Sequence, residues 1–209
     1  MKNLDGIANS IQARLDEKDT VREIAIKSSR AIIRLSGSVV HNIHKGEDIS
    51  GMMAEATDEA QRLRSLLVDH QEIWYSGLVE DAMQELSEAA ILIAIVRQDD
   101  LPTPEELGIQ PTAYLLGLAD CIGELRRFTL EALRNGGMES ANRSLDMMEE
   151  MFRVLMRFDY PDALVSIRRK QDIARSLLEK TRGEVAVAMS SKLLADRITA
   201  LQERLDRVK

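Results

Sequence analysis

Aromatic side chains, which strands favour together with β-branched ones, are scarce in this sequence, at 3% of residues. Strands draw on those residue types, whereas Leu, Ala, Met, Ile, Glu and Arg, which prevail here, lose little rotamer freedom in a helix, so the composition predicts an all-α protein. Cysteine occurs once, as Cys121, which excludes an intramolecular disulfide. The opening Met-Lys-Asn-Leu-Asp-Gly lacks the apolar core of a signal peptide, and the chain reads as cytoplasmic. The longest strongly apolar run, 89–96, is far short of the roughly 20 residues that span a bilayer, so no membrane contact is expected. Positive charge is also in deficit: 28 Lys and Arg against 35 Asp and Glu give a net charge of −7. The chain as a whole repels phosphate backbones, and any nucleic-acid contact needs a local basic surface.

What is present is helical periodicity over most of the 209 residues, read as a single domain of about seven helices spanning 1–209. Ile7, Ile11 and Leu15, then Ile24, Ile32, Leu35 and Val39, recur at helical spacing and predict a first helix from about Leu4 to Ile43, a rod of roughly 60 Å. Asp48 or Ser50 begins a second, reaching about Val68. A third is expected through Trp74 and Leu78 to Val96. Three of the four prolines lie between 102 and 111 and break the chain there. A fourth helix starts near Pro111 and stops at Asn135-Gly136-Gly137, a fifth covers about Glu139 to Phe158, and a sixth runs from Pro161 towards Ala188. In the tail 190–209, Leu194, Ile198, Leu201, Leu205 and Val208 form a heptad stripe, for which a partner helix within the chain is the commoner solution.

Carboxylates break this pattern. At about 100° per residue, Glu85 and Glu88 share a side of the third helix with Trp74, Leu78, Leu92, Ile95 and Val96, with Asp81 beside them. An ionised carboxylate on an apolar face must meet an arginine, share a proton, bind a metal or look into a wet cavity. On the fourth helix Asp120 and Glu124 lie one turn apart, opposite the stripe of Leu115, Leu118, Ile122 and Leu125. Alone they read as a solvated face, but Ala113 and Gly117 share their side, so a backbone or ligand can come close. Four carboxylates of this kind suit Mg²⁺ or Mn²⁺ better than zinc, whose preferred Cys and His are lacking. Salt-bridged surface remains the alternative.

The segments "QELSEA" at 84–89 and "AYLLGLADCIGELRR" at 113–127 resemble the translin superfamily, in particular its translin-associated factor X branch. "REIAIKSSRAIIRLS" at 22–36 and the stretch from "LRNGG" at 133–137 through "RRKQDIARSLLEK" at 168–180 extend the similarity to roughly 20–188. The resemblance implies a helical bundle assembling into a hollow oligomer, a homo-octamer in that family, that takes RNA and single-stranded DNA. In the factor X branch four acids hold Mg²⁺ and cut RNA. Their counterparts here are Glu85, Glu88, Asp120 and Glu124, which gives the expectation of a Mg²⁺-dependent endoribonuclease. One departure is that "VDHQEIWYSGLVEDA" at 68–82 keeps His70 and Trp74 but lacks the arginines of translin-type members, so phosphate contacts are expected elsewhere.

The candidates are Lys27 and Arg30 in the first helix, Arg127 after the second acidic pair, and Arg168, Arg169 and Lys170 in a basic run at 164–182 that also holds Arg175, Lys180 and Arg182 against Asp172 and Glu179. Each has a bland counterpart: a solvated helix face, or for Arg127 a bridge to Glu124 or Glu131. Trp74 reads as core, and Cys121 as a packing residue. Two rival functions stand beside the nuclease. One is a non-catalytic, nucleic-acid-binding translin-like shell. The other is an all-α nucleoside triphosphate pyrophosphatase, against which Gln84 stands where an adjacent glutamate is usual.

Overall fold

The computed structural model describes residues 3–207. Among them there is no strand, and eight helices follow in order: α1 (Leu4–Lys45), α2 (Ser50–Leu66), α3 (Gln71–Trp74), α4 (Gly77–Arg97), α5 (Pro104–Leu107), α6 (Pro111–Arg134), α7 (Met138–Leu155) and α8 (Ile167–Asp206). The expected all-α class and long N-terminal helix are present. Several boundaries have a local cause. Gly46 closes α1 at φ 69°, with its N–H donating to the Ile43 carbonyl and that of Glu47 to the Asn42 carbonyl, a left-handed cap that glycine adopts without strain. Asp48 accepts from both the N–H and the hydroxyl of Ser50 to open α2. Thr103 and Glu106 form a reciprocal capping box around α5.

Three expectations change. The helix thought to run unbroken through Trp74 is cut at Tyr75-Ser76. Ser76 is extended there, with its hydroxyl donating to the Ile73 carbonyl at 2.6 Å, and a serine bonded to nearby backbone competes with the helix. Trp74 and Glu85 therefore lie on different helices. The last long helix begins at Ile167 rather than Pro161, because a turn returns the Leu164 and Val165 N–H groups to the Pro161 carbonyl. It then continues through Ser190 without a break, so the tail is no separate element. Its stripe is not covered from within the chain, as Leu194, Ile198, Leu201 and Leu205 are 49–64% exposed. Val208 lies outside the described residues.

The chain divides into two compact units within α6, one ending at Leu118 and the other starting at Ala119. In the first, α1 lies along α2 and α4, and α2 and α3 also meet α4. Its core includes Ile32, Leu63, Leu67, Trp74, Met83 and Leu86. Buried Ala25, Ser29 and Ser36 keep the inner face of α1 small, which lets helix axes approach closely. Gln110, buried before α6, donates to the Trp74 carbonyl at 2.7 Å, so the proline loop is tied to the end of α3.

In the second unit α7 packs on α8, with Met148, Leu155, Ile167, Ala174 and Leu178 buried. Buried Gln171 donates from Nε2 to the Leu155 and Phe158 carbonyls, both at 2.8 Å. These carbonyls lie at and just beyond the end of α7, so one α8 side chain helps to cap that helix. Neither glutamine carries a sequence signal. No described helix is long and apolar enough to cross a membrane.

Candidate functional site

The two acidic pairs fall one in each unit. On α4, Val79, Ala82, Met83, Leu86, Ala89, Ala90, Ile91 and Leu92 are all buried, so this helix is apolar over most of its circumference. Glu85 and Glu88 are half-buried in it, while Asp81 is exposed. Asp81 is thus a solvated residue, and the predicted face shifts, since Val96 is exposed and Ile91 is not. On α6, Asp120 and Glu124 are half-buried too, which is drier than the solvated face that their position opposite the apolar stripe suggested.

Gly117 explains why the approach to this region is lined with small residues. A Cβ there would lie 2.0 Å from the Ser87 hydroxyl, 2.6 Å from the Gln84 carbonyl oxygen and 2.9 Å from the Glu88 backbone nitrogen. Within the first unit, the start of α6 therefore rests directly on the α4 backbone at the turn that carries the "QELSE" acids. Ser87 adds a hydrogen bond from its hydroxyl to the Tyr114 carbonyl at 3.4 Å. Gly123 is not a second such contact, for its Cβ would only touch Leu177 at 4.0 Å.

Cations attend both carboxylates of the second unit. Lys170, in the first turn of α8, donates from Nζ to Asp120 Oδ1 at 2.5 Å, with both side chains about three-quarters covered. Arg127 reaches Glu124 at 3.9 Å while staying half-exposed, the bridge foreseen as its bland alternative. Arg126 instead makes a bidentate pair with Glu184 at 2.7 and 2.9 Å and donates to Thr181 Oγ1, clamping α6 to α8. This pair holds the Glu184 carboxyl below the ordinary range, chiefly through the hydrogen bonds from Arg126. A lowered folded-state value means that the contribution to stability is present above the ordinary carboxylate range and is lost as pH falls through the lowered one. Glu184→Gln should thus melt below the parent chain near neutral pH. The gap should close as pH falls through that lowered value, which thermal melts from neutral into acid pH would read.

The basic run at the start of α8 is mostly neutralised. Arg168 pairs with Asp159 at 3.2 Å, Arg175 with Asp172 at 3.1 Å and Arg182 with Glu149 at 2.7 Å, and Arg175 also lies over the Phe152 ring. Asp159, Asp120 and Glu149 come from outside the run, so its surplus of positive charge is smaller in the fold than in the sequence. Arg169, Lys27 and Arg30 are exposed. His41 is exposed and Cys121 is buried. Exposed Tyr75, beside buried Trp74, is the aromatic face open to solvent in the α3–α4 turn.

Taken singly, neither unit gathers three or more His, Cys, Asp or Glu side chains into an ion-holding group among its described residues. Each contributes two half-buried carboxylates. Their chemistry fits a hard divalent cation: the donors are all oxygen, and in the second unit Lys170 and Arg127 already place positive charge against both members.

A helical protein with these acidic pairs on its central helices has clear kin. The Translin family model matches residues 14–184, and the chain belongs to that family. Among relatives, it is 35% identical over 192 residues to the uncharacterized protein MJ0175 of Methanocaldococcus jannaschii, covering 90% of this chain and 85% of that one. Among solved structures, it matches crystalline AfC3PO with a TM-score of 0.81 and 34% identity over 89% of this chain and 98% of that one. It also matches AfC3PO in complex with duplex RNA, with a TM-score of 0.71, 33% identity and the same coverage. Apo-NeC3PO, at 23% identity and a TM-score of 0.69 over 90% and 98% of the two chains, shares the fold.

Proposed function

We propose that this chain is a Mg²⁺-dependent endoribonuclease of the translin-associated factor X type, acting on RNA within a homo-oligomeric shell. The observation that carries the reading is the pair of half-buried acidic motifs, Glu85 with Glu88 and Asp120 with Glu124. Oxygen donors of this kind, partly withdrawn from water, suit a hard divalent cation. The solved complex of a 33% identical protein with duplex RNA supports RNA as the ligand class.

On this reading Glu85, Glu88, Asp120 and Glu124 hold Mg²⁺ or Mn²⁺, which would supply an activated water and neutralise charge on the phosphodiester. The chain's own part is to fix the ligands and seat the substrate. Gly117 sets the start of α6 against the turn bearing Glu85 and Glu88. Exposed Arg169, Lys27 and Arg30 and half-exposed Arg127 supply phosphate contacts. Arg168, although paired with Asp159, is exposed enough to exchange that partner for a phosphate.

Labelled single-stranded RNA, duplex RNA and matching DNA, incubated with the protein in Mg²⁺, Mn²⁺ or EDTA, test the reading. RNA cutting that EDTA stops is the expected result, whereas metal-independent RNA binding without cutting would replace it with the non-catalytic shell.

Self-assembly rests on two exposed apolar stripes: Leu4, Ile7, Ile11 and Leu15 on α1, and Leu194, Ile198, Leu201 and Leu205 on α8. Such stripes at heptad spacing suit helices of further copies. Ile198→Asp with Leu201→Asp should lower the mass seen by light scattering while leaving the helical circular dichroism signal in place.

A further inference from the structure

Lys170 is the residue whose position the proposed reaction does not yet explain. Its ammonium crosses from α8 to α6 and meets Asp120 Oδ1 at 2.5 Å, with side-chain exposures of 27% for the lysine and 25% for the aspartate. The other pairs that cross between helices of the second unit leave their carboxylates more open, Glu184 at 42% with Arg126 and Glu149 at 37% with Arg182. A lysine has no acceptor capacity and carries a single point charge on a flexible four-carbon stem. Held against a carboxylate that is partly withdrawn from water, it does what a bound cation would do for that oxygen, and it can swing away without disturbing the backbone.

We propose that Lys170 is a positioning residue that acts as an exchangeable counter-cation for Asp120. It neutralises and orients the carboxylate in the metal-free protein and yields that oxygen when a divalent ion enters, which frees its ammonium on the same face for the phosphate of an incoming RNA. This inference rests on the proposed carboxylate site.

A divalent ion that binds the same carboxylate meets the Lys170 ammonium as a like charge, so ion and lysine compete for Asp120. Metal affinity is thereby held below what the carboxylates alone would give. Arg127 contributes less to this competition, since it stands 3.9 Å from Glu124 and is half-exposed.

Titration of the full chain with Mn²⁺ alone, followed by calorimetry or by the electron paramagnetic resonance signal of the free ion, tests this. Lys170→Met should bind Mn²⁺ about tenfold more tightly than the parent and melt at a lower temperature without metal. Its melting temperature should recover on saturation with Mn²⁺. Lys170→Arg should stay within about twofold of the parent, because it keeps the competing charge. Lys180→Met, some three turns further along α8, should also stay within twofold. Circular dichroism confirms that each variant is folded, and should Lys170→Met not fold, Lys170→Gln takes its place. Unchanged or weaker Mn²⁺ binding by the folded variant would overturn the inference, and equal tightening in Lys180→Met would reduce it to bulk charge. If the parent binds no Mn²⁺, or Glu124→Gln binds it as well as the parent, the carboxylate site itself fails, a result distinct from failure of the lysine's role.

Discussion

Among the glycine-to-alanine changes, Gly117→Ala should be the most damaging. The new Cβ would sit 2.0 Å from the Ser87 hydroxyl, which can rotate aside, but also 2.6 Å from the Gln84 carbonyl and 2.9 Å from the Glu88 nitrogen, which cannot. Both backbone atoms belong to the α4 ladder, so α6 must lift away from α4 or α4 must bend. Overpacking against fixed atoms costs about 3 kcal/mol or more, and for a chain of this size that is a fall of roughly 6–12 °C in melting temperature. Adding Ser87→Gly should recover only a part of the loss, because the contacts with the α4 backbone remain. Because α6 continues unbroken into Asp120 and Glu124, an activity that needs both acidic pairs should fall with it. A melt of Gly117→Ala indistinguishable from the parent's would mean that α6 does not rest on α4 at this turn.

Glu124→Gln is expected to do the reverse, sparing the fold and removing the chemistry. The amide matches the carboxylate in size and keeps an acceptor oxygen, and the 3.9 Å bridge to half-exposed Arg127 is worth at most a few tenths of a kcal/mol. Loss of one anionic ligand should lower RNA cutting on the order of a hundredfold or more, since charge stabilisation by a bound ion supplies several kcal/mol of the barrier reduction. RNA binding measured in EDTA should be unchanged. Cutting at the parental rate would assign the activity to other residues.

Much of this architecture was legible in the sequence because helices announce themselves through periodicity, and Gly46, Pro111 and Gly136 sit where the expected ends required them. Glu85 and Glu88 stood out for a related reason, since a carboxylate that interrupts an apolar face must be compensated, whereas Asp120 and Glu124, opposite their stripe, read alone as a solvated face. What stayed hidden depends on partners distant in sequence. Lys170 finds Asp120 across 50 residues, and Arg126 finds Glu184 across 58. The basic run looked like a phosphate-binding surface because its neutralising Asp159, Asp120 and Glu149 come from outside it. The break at Ser76 escaped for the opposite reason. It is set by one serine hydroxyl and one extended residue, too local to disturb the periodicity on either side. The tail stripe was readable as a stripe but not as an exposed one, since burial depends on what the rest of the fold leaves over.

The proposed function requires both Glu85 and Glu124 for RNA cutting. Rates of RNA cutting under single-turnover conditions by Glu85→Gln, by Glu124→Gln and by the double variant test it most directly. Residues that act as one unit are far from additive. The account therefore expects each single variant to lose nearly all activity and the double variant to lose little more. Cutting that survives both single substitutions, or losses that simply multiply in the double variant, would contradict it.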